Sequence, residues 1–136
     1  MNIEELKKAF FVEGDALKVS LEPVVMKARD HCKIDKQGQV IITNSKLSTR
    51  DQVTLILAAR AIASQLDSTI AAEVTVPEIE KYTGLPANQV RARGKDAIEA
   101  KFAESTKRGV YRAFPHKVEA FLDSISPVTK GAKVSA

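Results

Sequence analysis

Residues 76–114 read VPEIEKYTGLPANQVRARGKDAIEAKFAESTKRGVYRAF. The spacing predicts a short helix, with Pro77 in its first turn and Glu78 near the positive end of its dipole. Gly84 is suited to end that helix, because glycine enters the left-handed conformation without a steric penalty. Pro86 then opens a second, basic helix, and two short extended runs follow. The stretch therefore predicts two helices joined by a tight turn and followed by a β-hairpin.

The second of these helices carries residue types that can read DNA. In a helix-turn-helix the N-terminal part of the second helix reaches base edges. Asn and Gln side chains can bond an adenine edge in two places, and Arg side chains a guanine edge. The exposed polar candidates are Asn88, Gln89, Arg91 and Arg93, and the apolar anchors between the helices are Ile79, Leu85, Val90, Ala97 and Ile98.

The hairpin that follows has the form of a wing. Lys101–Glu104 and Val110–Phe114 are predicted as its strands, with the basic connector Ser105–Gly109 between them. Basic residues at such a tip contact phosphates or the minor groove. The expected phosphate contacts are Lys95, Lys107, Arg108, Arg112 and Lys117.

Two features of the basic helix oppose a DNA contact along its whole length. Asp96 and Glu99 place negative charge midway along the helix. Gly94 costs roughly 1 kcal/mol relative to alanine in a helix interior. The glycine predicts close packing against a neighbouring helix or a local bend, and the acids limit the expected contact to the first turns.

The remaining segments predict a mostly helical chain. A helix is expected over residues 2–12, a brief alternating run from Leu17 to Leu21, and a helix from Pro23 to about His31. A β-hairpin turning at Gly38 is predicted over residues 33–43. Ser48 would cap a long helix over residues 49–66, which is apolar nearly all round and so should be the central helix. A closing helix is predicted over residues 115–125.

These elements divide the chain into an N-terminal helix-hairpin extension (1–47), a winged helix-turn-helix domain (48–125) and a flexible tail (126–136). The predicted fold class is α+β and mostly α.

Composition is typical of a globular protein, with 44% hydrophobic and 28% charged residues in 136. No apolar run approaches the roughly 18 residues that span a bilayer, and a single cysteine fits a reducing interior, so a cytoplasmic location is expected. The net charge is +4, and residues 88–117 hold eight Lys/Arg against three Asp/Glu. That cluster favours a polyanionic partner or forms a solvated basic face.

Catalytic and metal chemistry have little support in the sequence. His31 and His116 are the only histidines and lie far apart, and no pair of ligands has zinc-site spacing. Cys32 is expected to be a core thiol. We predict no enzyme activity, no metal and no cofactor.

Residues 48–125 resemble the winged helix-turn-helix modules of small prokaryotic, especially archaeal, DNA-binding proteins. The resemblance lies in LILAARAIA (55–63), VPEIEKYTGLPANQVRARGKDAI (76–98) and RGVYRAF (108–114). It implies double-stranded DNA binding in transcriptional regulation, often as a homodimer. The alternative is a winged helix that binds protein within a transcription or RNA-handling assembly. Neither alternative involves a membrane.

Overall fold

A computed structural model describes residues 2–10 and 14–125, with the side chains of residues 2–6 and 21–125. The chain is α+β and mostly helical, with two small antiparallel sheets, as predicted. The elements in order are α1 (Ile3–Phe10), α2 (Gly14–Ala28), β1 (Cys32–Ile34), β2 (Val40–Ile42), α3 (Thr49–Leu66), β3 (Val74–Thr75), α4 (Val76–Thr83), α5 (Ala87–Glu99), β4 (Ala103–Lys107), β5 (Val110–Ala113) and α6 (Pro115–Ser124).

Helix α3 is the central element, as its sequence predicts. Its first turn is capped by the Ser48 hydroxyl, which accepts a hydrogen bond from the Asp51 N–H at 3.1 Å. Every residue from Val53 to Ala63 is buried. The remaining helices from α2 onward and both sheets pack around it, because a helix that is apolar on all sides must be covered on all sides.

The prediction for residues 14–31 is wrong in its first half. No strand-like run precedes Pro23, since α2 begins at Gly14 and carries Pro23 in its interior. Leu21, Val24, Val25 and Ala28 share one face at helical spacing and pack toward the core. Pro23 is exposed and lacks the backbone N–H that a helix interior uses as a donor. Burial of the apolar face stabilises the helix across this position.

The hairpin β1–β2 is confirmed. Cys32 pairs with Ile42 and Ile34 with Val40, and the turn uses Gly38 at φ 85°. Asp35 holds the turn by accepting hydrogen bonds from the backbone N–H groups of Gln37 and Gln39, each at 2.9 Å.

A buried guanidinium ties this hairpin to the rest of the fold. Arg60 of α3 is 5% exposed and donates to Gly38 O, Ala71 O and Glu73 O. It also pairs with the Glu78 carboxylate at 3.0 Å. Four segments therefore meet at one side chain, which lies in a helix that is otherwise apolar nearly all round.

The second sheet has the strand order β3-β5-β4, and all of its pairs are antiparallel. The predicted first strand at 101–104 is displaced, because Lys101 adopts a left-handed φ of 64° as the chain leaves α5. Strand β4 therefore starts at Ala103 and extends to Lys107, so that the hairpin tip narrows to Arg108 and Gly109. Residues 104–107 of β4 are polar, which this edge strand tolerates because one of its faces is solvated.

The helix boundaries around Gly84 are as predicted. Thr75 and Glu78 form a reciprocal capping box at the start of α4, and Gly84 ends it at φ 78°. Helix α6 closes the fold with Val118 and Leu122 buried. Lys27 of α2 joins it through Glu119 at 2.6 Å and Asp123 at 2.9 Å.

One hydrophobic cluster runs from Ala28 and Cys32 to Val118 and Leu122, across residue 48. The division of the chain into an extension and a domain stays a prediction, and the predicted tail (126–136) lies outside the described residues. Within the described part of the chain, no helix is both long enough and apolar enough to cross a bilayer.

Candidate nucleic-acid interface

Helix α5 presents a polar face to solvent and an apolar face to α3 and α4. Val90, Gly94 and Ala97 are buried at helical spacing. At 100° per residue, Asn88, Arg91 and Lys95 fall on one stripe on the opposite side, and all of them are exposed. Gln89 is also exposed, on the flank of that stripe. Glu99, which is exposed as well, terminates the stripe at the C-terminal end of the helix.

Arg93 differs from the other predicted contacts on this helix. It is half-buried, and its Nε lies 3.2 Å from the Asp96 carboxylate, one turn along the helix. The two groups form an ion pair whose N–H is not aligned as a hydrogen bond. Part of the positive charge expected from Arg93 is thus neutralised within the helix, a pairing that was not predicted.

The hairpin β4–β5 carries three predicted residues, two at its tip and one, Arg112, nearer its base. Lys107 and Arg108 are exposed and make no ion pair with a described residue. Arg112 is exposed but bonds across the hairpin to the Glu104 carboxylate, with Nε at 3.1 Å and Nη2 also in contact. These bonds to Glu104 raise the pKa of Arg112, so its charge is retained but is held on the hairpin surface.

Helix α5 and the hairpin are held together by an unusually close contact. A Cβ atom placed on Gly94 would lie 2.8 Å from Cζ of Tyr111 on β5. The helix interior therefore has a glycine here because the tyrosine ring occupies the space of a side chain. Close packing at Gly94 was predicted against a neighbouring helix, but the partner is Tyr111 on a strand. This contact joins residues far apart in the chain, so the local pattern could not identify the tyrosine.

The last predicted contact, Lys117, lies in the first turn of α6 and is exposed. It lines an open depression together with Arg50, Asp51 and Asp96. This places Lys117 near the C-terminal half of α5, away from the Asn88 end of the polar stripe.

The two histidines and the cysteine lie outside this surface. Cys32 is the first residue of β1 and His31 directly precedes it; both are buried, whereas His116 is exposed on α6. Burial raises the pKa of the Cys32 thiol to about 11, so the thiol stays protonated as the core residue that was predicted. Among the described residues, no group of three or more His, Cys, Asp and Glu side chains could hold a metal ion.

The chain was compared with protein-family models, curated proteins and solved structures, and none of them matches it.

Proposed function

We propose that this protein binds double-stranded DNA through a winged helix-turn-helix formed by residues 48–125, and acts in transcriptional regulation. In this proposal α4 and α5 are the helix-turn-helix, and β4–β5 is the wing. Helix α5 enters the major groove by its N-terminal half, and the wing lies beside it along the backbone.

One observation carries the proposal. The first nine residues of α5, Ala87–Lys95, expose Asn88, Gln89, Arg91 and Lys95 and contain no acidic residue. These side chains project away from the buried face, so a groove could approach them without disturbing the core. The element order supports the same assignment, because β3 precedes α4 and pairs with β5 of the hairpin.

The contacts fall into two kinds. Asn88, Gln89 and Arg91 have the chemistry to bond base edges. Lys95, Lys107 and Arg108 would hold phosphates and position the helix. Arg93 and Arg112 contribute less, because each is already paired with a carboxylate.

Equilibrium titration of a labelled duplex at several salt concentrations tests the proposal. The binding constant should fall steeply with salt, since each neutralised phosphate releases condensed counterions. Arg91→Ala should weaken binding by about 1–3 kcal/mol. Lys107→Ala should reduce the salt slope by about one unit.

Lys46→Ala is the matched control for loss of one exposed lysine outside α5 and the hairpin, and should leave the affinity unchanged. The proposal fails if duplex DNA does not bind at low salt, or if Arg91→Ala and Lys46→Ala behave alike.

The ion pairs on the same surface favour a second candidate, a winged helix that binds protein in a transcription or RNA-handling assembly. Asp96, Glu99 and Glu104 interrupt the positive face, and rim charges of both signs are common where proteins bind each other. Absence of duplex binding, together with capture of a transcription-machinery protein that Arg91→Glu abolishes, would support this candidate over DNA.

A further inference from the structure

Helix α1 leaves an apolar face uncovered. Ile3 is 65% exposed and Leu6, one turn later on the same side, is 48% exposed. An eight-residue helix is marginal in water by itself, so its apolar face requires a surface to pack against. Its first turn also carries Glu4 and Glu5, and both are exposed.

An apolar groove lies elsewhere on the molecule, between the end of α2, strand β1 and the C-terminal half of α3. It encloses about 390 Å³. Ala28, Cys32 and Ile62 form its buried floor, and Ile34, Leu66 and Ile70 form its walls. Leu66 is 61% exposed at its edge. No described side chain of α1 lines this groove.

The charges at the groove rim indicate what kind of segment fits it. Arg29, Lys33 and Lys36 line the groove, are exposed, and make no ion pair with a described residue. The two acids of the rim are already engaged. Asp35 accepts from Gln37 and Gln39, and Asp67 accepts from the Thr69 N–H and hydroxyl. Three cations against these two carboxylates leave the rim with a formal net charge of +1, which favours an apolar segment flanked by carboxylates.

We propose that the groove receives helix α1 of a second copy of this chain. Ile3 and Leu6 would enter the apolar groove, and Glu4 would face the lysines of the rim. The exchange is reciprocal, because each copy offers one helix and one groove. It closes as a two-fold dimer with no unsatisfied surface that could extend it into a chain.

This dimer is independent of DNA, and it would also give the proposed function a geometry. Two copies related by a two-fold axis present two α5 helices, as operators with paired half-sites require. The dimer can nevertheless be tested with no nucleic acid present, so its failure would leave the DNA proposal intact.

Sedimentation equilibrium of the full chain over a range of concentrations tests this proposal. The wild type should be a dimer. Leu6→Asp should raise the dimer dissociation constant at least about thirtyfold, the factor that corresponds to losing one buried leucine. Lys46→Glu, an exposed charge reversal outside the groove, is the matched control and should leave the dimer intact.

A charge-swap pair identifies the two surfaces. Glu4→Lys alone and Lys33→Glu/Lys36→Glu alone should each weaken self-association, because like charges then meet at both interfaces of the dimer. An equimolar mixture of the two variants should dimerise again, since each altered surface meets its complement in the mixed species.

Three results would overturn the proposal. They are a wild type that is monomeric at every concentration, a dimer that is indifferent to Leu6→Asp, and variants that weaken the dimer singly without restoration on mixing. A monomer in which hydrogen exchange shows α1 protected would mean that the helix docks within its own chain, and this would also contradict the proposed dimer.

Discussion

At the scale of single residues, His31 shows how burial sets a protonation state. The residue is 3% exposed. Its Nδ1 lies 2.9 Å from the Asn44 amide nitrogen, an arrangement in which Nδ1 accepts and the ring proton resides on Nε2. Nε2 is buried without a hydrogen-bond partner among the described residues. Burial lowers the pKa of His31, and the neighbouring Asp30 charge opposes that only in part.

This protonation state predicts an acid-sensitive stability. The unfolded chain takes up a proton near the ordinary histidine value of 6.5, whereas the folded chain resists it. The free energy of unfolding should therefore decline as the pH falls below about 6.5, until the lowered folded-state pKa is passed. Urea unfolding at a series of pH values measures this decline.

Two variants assign the decline to His31. His31→Gln should show a smaller loss between neutral and mildly acidic pH than the wild type, whatever its overall stability. His116→Gln removes the exposed histidine of α6 and should retain the loss, because His31 is intact. An acid-dependent loss of equal size in His31→Gln would contradict the assignment.

At the scale of elements, the contact of Gly94 with Tyr111 sets the position of the β4–β5 hairpin against α5. Gly94→Ala would gain roughly 1 kcal/mol of helix propensity. The added methyl would, however, lie 2.8 Å from Tyr111 Cζ and 3.0 Å from Cε1. Tyr111 is buried on the central strand of its sheet and cannot swing freely aside. Overpacking of this kind costs about 1–3 kcal/mol, so a net destabilisation is expected.

Denaturant unfolding of a double-mutant cycle checks this contact. Tyr111→Leu should make Gly94→Ala less costly than it is in the wild type, because the clash is then removed. Lys95→Ala, at an exposed neighbour on the same helix, reports the effect of an alanine without the clash. If Gly94→Ala stabilises the protein, the ring does not restrict this position.

The features that could be predicted from the sequence are those set by residues close together in the chain. Ser48 marks a helix start through a bond within three residues and Gly84 a helix end through its own backbone angle, and these boundaries were predicted correctly. The start of α2 was missed because a proline is a local breaker, and its retention depends on packing against distant helices. The Glu104–Arg112 and Arg60–Glu78 pairs were also missed, since both depend on how distant segments meet.

The same distinction holds for the candidate interface. The exposed face of α5 was predictable from helical spacing alone. The reduced availability of Arg112 was not, because its partner Glu104 lies on the facing strand. Arg93 falls between these cases, since Asp96 one turn away is a local signal that the sequence contains.

At the scale of the whole molecule, Arg60 joins the N-terminal hairpin to the helices that follow. Its guanidinium donates hydrogen bonds to carbonyls of the β1–β2 turn and of the loop before β3, and it pairs with a carboxylate of α4. Burial alone would raise the pKa of Glu78, but the Thr75 N–H and the Arg60 charge outweigh it, so the pKa of this carboxyl is lowered. The charge pair is therefore maintained at neutral pH, and the hairpin is held to α3 and α4.

Arg60→Met should consequently destabilise the fold by about 3–5 kcal/mol, because it leaves Glu78 half-buried without its partner and three carbonyls without this donor. Arg60→Lys should recover little of this loss, since a single ammonium cannot reproduce the planar fork of the guanidinium. Arg50→Met on the same helix removes an exposed arginine and should change stability by no more than about 0.5 kcal/mol. Chemical denaturation of the three variants measures these differences. Equal stability of Arg60→Met and Arg50→Met would mean that the hairpin is held by its apolar contacts with α3 rather than by this side chain.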